Sequence, residues 1–351
     1  MRHRVSVAVG ALLAIGTLSA CSSSSGTTSQ AAPSTTAAPG PVPVVRSGGC
    51  SANAVVPAGE TTVDTKSGGV ARWYVRHVPP SYTGTSPLPM VIDLHGYQEG
   101  ARIQASMSRL GAYGDTKGFI TLTPEGSGNP VPRWDVGVST ADMRFIGDLL
   151  DEAGRTLCID TNRVYVAGLS NGAFMTSAVA CAYSDRVAAV APVAGITADI
   201  ANCAPKRPVP VVTFHGTGDQ FVTYDGTFGK AALNLPSPDG KGKLGDNPQF
   251  MAKMRRKPVP DQLAMWAKRN GCQNASTQTA VASDVTHFVW NCPADASVEL
   301  YRITGGGHAW PGSAFSKMIA GTVGPTTMSI DADAIMWDFF VAHPLRSRTN
   351  G

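Results

Sequence analysis

Ser170 stands at the centre of Gly168-Leu169-Ser170-Asn171-Gly172, a G-x-S-x-G pattern. In a chain holding 38 glycines the pentapeptide alone is weak evidence, and its setting gives it weight. VYVA (164–167) reads as a buried strand before it and AFMTSAVA (173–180) as a helix after it. That strand–turn–helix context is the one in which such a serine is presented as a nucleophile. A serine hydroxyl also needs a base, and the base needs an acid to orient it. His308, in Gly305-Gly306-Gly307-His308-Ala309-Trp310-Pro311, hangs on a glycine loop directly after a strand and is the candidate base. Asp219, in His215-Gly216-Thr217-Gly218-Asp219, follows an apolar strand at the edge where α/β sheets place ligands, and is the favoured acid. Asp225, six residues further into the loop, is the alternative.

A tetrahedral intermediate needs two backbone donors where its oxygen becomes negative. The amide of Asn171 at the helix start is one candidate, and that of Tyr97 in Leu94-His95-Gly96-Tyr97 is the other. Trp310 and Trp134 are candidates to line the substrate pocket. His287 lies in an alternating hairpin and is expected to be solvated, whereas His343 ends a terminal helix and suits its dipole. His95 and His215 each precede a glycine at a strand end and are read as structural.

The elements that must position these groups are legible as apolar periodicity. Runs at 70–78, 88–95, 119–126, 163–168, 187–195 and 209–216 read as strands. Segments 100–118, 141–156, 173–185, 260–271 and 331–343 read as helices, and 275–303 as a hairpin closing in VELYRI. Strands alternating with helices imply a mostly parallel sheet covered on both faces. Residues 227–257 break the pattern: they are rich in Gly and Pro and end in Lys253, Arg255, Arg256 and Lys257. A loop of that length is usually functional or disordered.

Of the 351 residues, 43% are hydrophobic and 15% charged, enough for a substantial core. The formal charge is +4, of which Arg2 and Arg4 supply two, too little to argue for nucleic acid as a partner. Residues 1–20 read as a signal peptide, with Arg2 and Arg4 before an apolar run too short to span a bilayer. The run ends in Leu18-Ser19-Ala20-Cys21, the lipobox pattern in which the cysteine thiol is lipidated. Residues 21–48, rich in Ser, Thr, Ala and Pro, read as a disordered tether, 49–346 as one catalytic domain and 347–351 as a tail. Six cysteines remain after Cys21, an even count that suits three disulfides in an exported chain. Cys272–Cys292 and Cys181–Cys203 are preferred because they close short loops, which leaves Cys50–Cys158. No cysteine or histidine spacing suggests a metal.

Taken in order, Leu94-His95-Gly96, Pro124-Glu125-Gly126, the Ser170 pentapeptide, His215–Asp219 and Gly307-His308-Ala309-Trp310-Pro311 resemble a known group. It is the secreted polyhydroxybutyrate depolymerase and feruloyl esterase family of α/β-hydrolases, which includes mycobacterial lipoproteins. The resemblance runs from about residue 60 to 343. It implies an α/β-hydrolase fold, a Ser170–Asp219–His308 triad, ester hydrolysis through an acyl-enzyme, no cofactor, and a cysteine pairing of the 272–292 type. The 227–257 insertion is longer and more basic than that family leads one to expect, and no polymer-binding module is appended. The expected protein is therefore a monomeric, lipid-anchored cell-surface esterase acting on small or oligomeric esters, with the membrane met only through the anchor. The competing readings are a non-catalytic surface lipoprotein on a hydrolase scaffold and a peptidase or lipase of the same fold. Hydrolysis should rise with pH through roughly 6–7, because only neutral imidazole accepts the serine proton.

Overall fold

The structure, a computed structural model, describes residues 40–51 and 56–346. Ten strands form one sheet: β1 (Gly59–Ser67), β2 (Val70–Val78), β3 (Leu88–Leu94), β4 (Ile120–Pro124), β5 (Ile159–Leu169), β6 (Ala189–Val193), β7 (Val211–Gly216), β8 (Ser276–Ala282), β9 (Val285–Trp290) and β10 (Val298–Ile303). Their spatial order is β1-β2-β4-β3-β5-β6-β7-β10-β9-β8. The run β4-β3-β5-β6-β7-β10 is parallel throughout. Antiparallel strands extend it at both edges. Strands β4, β6 and β7 are buried at every residue, as continuous apolar runs must be when helices cover both faces. The outer strand β1 is largely exposed and polar, so its sequence carries no apolar signal.

The helices are α1 (Ala101–Ser108), α2 (Leu110–Lys117), α3 (Ala141–Thr156), α4 (Asn171–Ala182), α5 (Lys230–Leu233), α6 (Pro248–Met254), α7 (Val259–Arg269), α8 (Ala314–Met318), α9 (Ala320–Val323) and α10 (Ala332–Ala342). The long helix α3 starts where Thr140 accepts a hydrogen bond from Met143 N at 3.1 Å. It buries Met143, Ile146, Leu149 and Leu150 on one face. The helix expected over 100–118 is two helices, because Arg109 adopts a left-handed conformation at φ +55°. At the end of α1, Gln104 and Ser108 each donate to the buried Asp93 at 2.6 Å. The 227–257 insertion is partly helical and closes on itself through bridges between Val222 and Phe228 and between Pro236 and Lys243.

The tether was expected to reach residue 48, but Val42–Ser47 lies on the domain. Val42 is buried, Val45 N donates to Asp160 Oδ1 at 3.0 Å, and Ser47 Oγ donates to Leu157 O at 2.6 Å. Of its valines only Val42 is buried, and the rest of the stretch is held by hydrogen bonds, which composition alone does not reveal. The signal segment, the lipidation candidate Cys21, the tether up to residue 39 and the tail 347–351 lie outside the described residues.

Disulfides join Cys50–Cys158, Cys181–Cys203 and Cys272–Cys292. The first closes a loop with a sequence separation of 108 and pins the N-terminal segment beside the start of β5. In the chain-entropy account a loop near that length contributes about 4–5 kcal/mol. Replacing both Cys50 and Cys158 by serine should therefore lower the unfolding free energy by about 3–5 kcal/mol in a urea titration. The same change at Cys272 and Cys292, whose separation is 20, should cost less.

Candidate active site

Between β5 and α4 the backbone turns sharply at Ser170, which sits at φ +57° and ψ −116°. A non-glycine residue holds such a conformation only when its surroundings impose it. Here Ser170 N donates to Val193 O on β6 at 2.9 Å, and α4 is buried at every residue but Ala182. The flanking glycines are required by contact. A Cβ on Gly172 would lie 2.1 Å from Leu94 O and 2.6 Å from His95 O, and one on Gly168 would lie 2.8 Å from the Gly172 carbonyl. Helix α4 thus touches the end of β3 directly, and Ser170 is thrust out above the sheet.

From the next loops come the imidazole and the carboxylate. His308 Nδ1 donates to Asp219 Oδ2 at 2.7 Å, with both side chains buried. The other carboxylate oxygen of Asp219 accepts from Phe221 N at 2.8 Å and Val222 N at 3.0 Å, which fixes its plane. The glycines before His308 permit close approach: a Cβ on Gly307 would be 2.2 Å from Val323 O. His308 N itself donates to Val323 O at 2.6 Å. The alternative acid, Asp225, is exposed and bound to Thr223 and Thr227. His215 is structural, with Nε2 2.9 Å from Val222 O. So is His95, which accepts from Gly126 N at 2.9 Å. His287, expected to be solvated, is half-buried, bonds Glu299 at 2.8 Å and stacks on Tyr301. His343 caps its helix through Phe339 O at 2.7 Å.

Ser170 and His308 line one cavity of about 320 Å³, with Tyr97, Gln98, Glu99 and Asn171 among its other polar residues. Phe174, Phe221, Leu235 and Leu244 contribute apolar walls, the last two from the insertion. No hydrogen bond joins Ser170 Oγ to His308, the looser geometry often found before substrate binds. The amides of Asn171 and Tyr97 have no acceptor among the described residues, and their side chains are already engaged. Asn171 Oδ1 accepts from Trp134 N at 2.7 Å, and Tyr97 Oη donates to Pro236 O at 2.9 Å. Trp134, expected in the pocket, lines a neighbouring cavity, and its indole N–H donates to His95 O at 2.9 Å. Trp310 does not line the pocket. It is buried in the core, because its indole N–H is satisfied by Asp333 of α10 at 2.8 Å and its ring packs with the helices on that face.

Residues 73–207, which hold the Ser170 turn and the Tyr97 loop, match the family described as Esterase PHB depolymerase. The matched stretch is similar to that family, and it stops short of Asp219 and His308. Among curated proteins the chain is 29% identical over 239 residues to "Feruloyl esterase B" of Piromyces equi, covering 66% of this chain and 41% of that one. It is 27% identical over 248 residues to "Poly(3-hydroxyalkanoate) depolymerase C" of Paucimonas lemoignei, covering 67% of this chain and 58% of that protein. The chain thus spans less than two thirds of either relative. Among solved structures, the acetyl xylan esterase from Aspergillus awamori superposes with a TM-score of 0.53 at 13% identity, over 80% of this chain and 99% of that one. The fold is that of the α/β-hydrolases.

Nothing in the residue pattern singles out Glu99. It lies in the Tyr97 loop, faces the cavity, and accepts a hydrogen bond from Gly96 N at 2.8 Å. Burial pushes its carboxyl up to about 7, against the opposing pull of His308 and the Gly96 amide. Burial alone would lower the His308 pKa. The Asp219 carboxylate outweighs it by charge and hydrogen bond, with help from the Glu99 charge, and the imidazole sits above its ordinary value. The two groups therefore titrate as a coupled pair. With His308 as the candidate base, which accepts a proton only when neutral, kcat/KM should rise with pH through a midpoint above the ordinary value of about 6.5. Glu99→Gln keeps an acceptor for Gly96 N but removes the charge that favours imidazolium, so the midpoint should move to lower pH. A pH profile of the variant with an unmoved or higher midpoint would contradict this coupling.

Proposed function

We propose that the chain is an exported serine esterase that cleaves carboxylic esters through an acyl-enzyme. Ser170 acts as nucleophile, His308 as general base and then acid, and Asp219 as the group that orients and charges the imidazole. The amides of Asn171 and Tyr97 hold the developing oxyanion, the first helped by the N-terminus of α4. The observation that carries this reading is the 2.7 Å His308–Asp219 hydrogen bond at the cavity where the strained Ser170 turn emerges.

The mechanism follows from what each group can do. His308 takes the proton from Ser170 Oγ as it attacks the ester carbonyl carbon, and the carbonyl oxygen becomes an oxyanion on the two amides. Collapse of that intermediate breaks the bond to the alkoxy oxygen, which receives the proton from His308. Water then repeats the sequence on the acyl-enzyme, releasing the acid and Ser170. The named relatives act on feruloyl and poly(3-hydroxyalkanoate) esters. Hydroxycinnamoyl, hydroxyalkanoate-oligomer and acetyl esters are accordingly the candidate substrates, and a largely apolar cavity suits the first two. Turnover of p-nitrophenyl esters of rising chain length, beside methyl ferulate and hydroxybutyrate oligomers, tests the reading. Hydrolysis of at least one class supports it, and inertness towards all of them would remove it.

Export and anchoring belong to the same proposal. Three disulfides fit an oxidising compartment, and the signal segment 1–20 with lipidation at Cys21 supplies the route. In a bacterial host, Cys21→Ser should shift the protein from the membrane fraction to the soluble one. A mutant still held at the membrane would show that Cys21 is not the anchor.

A further inference from the structure

A second cavity of about 500 Å³ adjoins the first, sharing Tyr97, Asn171 and Phe174 with it. Its chemistry is different. Arg133 and Arg256 line it, whereas the first cavity carries no arginine or lysine. Arg133 immediately precedes Trp134, whose amide donates to Asn171 Oδ1, and Arg133 Nη1 donates to Val131 O at 3.2 Å and Pro238 O at 3.3 Å. No carboxylate lies within ion-pair distance of Arg133 among the described residues. Arg256 belongs to the basic stretch that ends the insertion. Unlike its exposed neighbours Arg255 and Lys257, it turns inward, with its guanidinium 5.3 Å from the centre of the Phe174 ring. Two positions far apart in sequence thus deliver guanidinium groups to one hollow beside the proposed oxyanion donors. Asp135 also lines this hollow, exposed at its rim, and Arg256 Nη1 donates to Arg255 O at 3.2 Å.

We propose that the second cavity is a subsite for a carboxylate carried by the substrate, so that the preferred esters bear an anionic group on one side of the bond being cleaved. Arg133 and Arg256 are its specificity-determining residues. A guanidinium presents paired N–H donors that match a carboxylate, and it loses less hydration than an ammonium on doing so. The partition formed by Tyr97 and Asn171 places the ester carbonyl between the two cavities: the apolar one receives the uncharged half, the basic one the charged half. Burial lowers the Arg256 pKa while the Asp199 charge opposes that, and a bound carboxylate would further favour the cation. This inference rests on the esterase reading above and adds the substrate charge to it.

The test uses matched pairs of esters on the folded full-length chain. Mono-p-nitrophenyl succinate against p-nitrophenyl pentanoate places the charge on the acyl half. The hydroxybutyrate dimer against its methyl ester places it on the alcohol half. The readout is the ratio of kcat/KM for the anionic member to that for the neutral one, which cancels any general loss of activity in a variant. Arg133→Gln and Arg256→Gln should each lower that ratio roughly tenfold in at least one pair, as expected for one lost charge-assisted hydrogen bond. Asp135→Asn should raise it in the same pair, because a like charge at the rim is gone. The pair that responds identifies which half carries the carboxylate. Ratios unmoved in both pairs, with neutral esters still cleaved, would overturn the subsite and leave the esterase standing. No cleavage of any neutral ester would overturn both.

Discussion

Replacing Ser170 by alanine should lower kcat for p-nitrophenyl butyrate by roughly 10⁴–10⁶-fold, the range seen when a triad nucleophile is removed. Thermal stability should hardly change. Among the described residues the Ser170 hydroxyl makes no hydrogen bond, so its loss leaves no buried partner unsatisfied there. Alanine meets the same backbone strain at φ +57° that serine already bears, so the turn gains no new cost. The combination separates a chemical role from a structural one. A variant that melts normally but has lost turnover places the chemistry at this oxygen. Retained turnover would point to another nucleophile in the cavity.

Gly172→Ala should damage the fold and the site together. The added methyl would sit 2.1 Å from Leu94 O and 2.6 Å from His95 O, both backbone atoms at the buried end of β3. Neither can swing aside as a side chain would, so α4 must lift from β3 and carry Ser170 and the Asn171 amide with it. Forcing volume into a packed contact costs about 1–3 kcal/mol or more. Displacing a reacting group by about 1 Å costs on the order of 100-fold in rate. Both losses should appear together, in a denaturant titration and in kcat/KM. Gly154→Ala in α3 is the control: nothing lies within 4 Å of its Cβ position, so stability should hold or rise by about 0.5–1 kcal/mol. Equal behaviour of the two variants would mean that the close contact at Gly172 does not position the elbow.

What could be read from the residues follows a physical rule. Parallel strands buried on both faces are mostly apolar, and that is why β3, β6 and β7 stand out as short runs rich in Val, Ile, Leu and Ala. The groups expected to do chemistry lie at the ends of such strands, where glycines announce sharp turns. Asp219 could be favoured over Asp225 because it follows β7 immediately, and the structure shows the imidazole on Asp219. Features set by tertiary contact were not legible. Strand β1 is polar because one edge of the sheet faces solvent. Trp310 stands beside His308 in sequence, but a partner 23 residues away, Asp333, decides that it points into the core. Glu99 and Arg256 lie in loops without periodicity, and only the fold shows that one faces His308 across the cavity and the other turns onto Phe174. The end of the tether failed for a related reason: Val42 and Ser47 find their partners 110 or more residues further along the chain.

Labelling with a fluorophosphonate tests the central claim most directly, because the reagent bonds only to a serine oxygen activated by its surroundings. Folded protein should gain one adduct, located by peptide mass on the segment containing Ser170, with Ser170→Ala unlabelled and His308→Ala labelled far more slowly. An adduct on a different residue, or none on the folded wild type, would contradict the account.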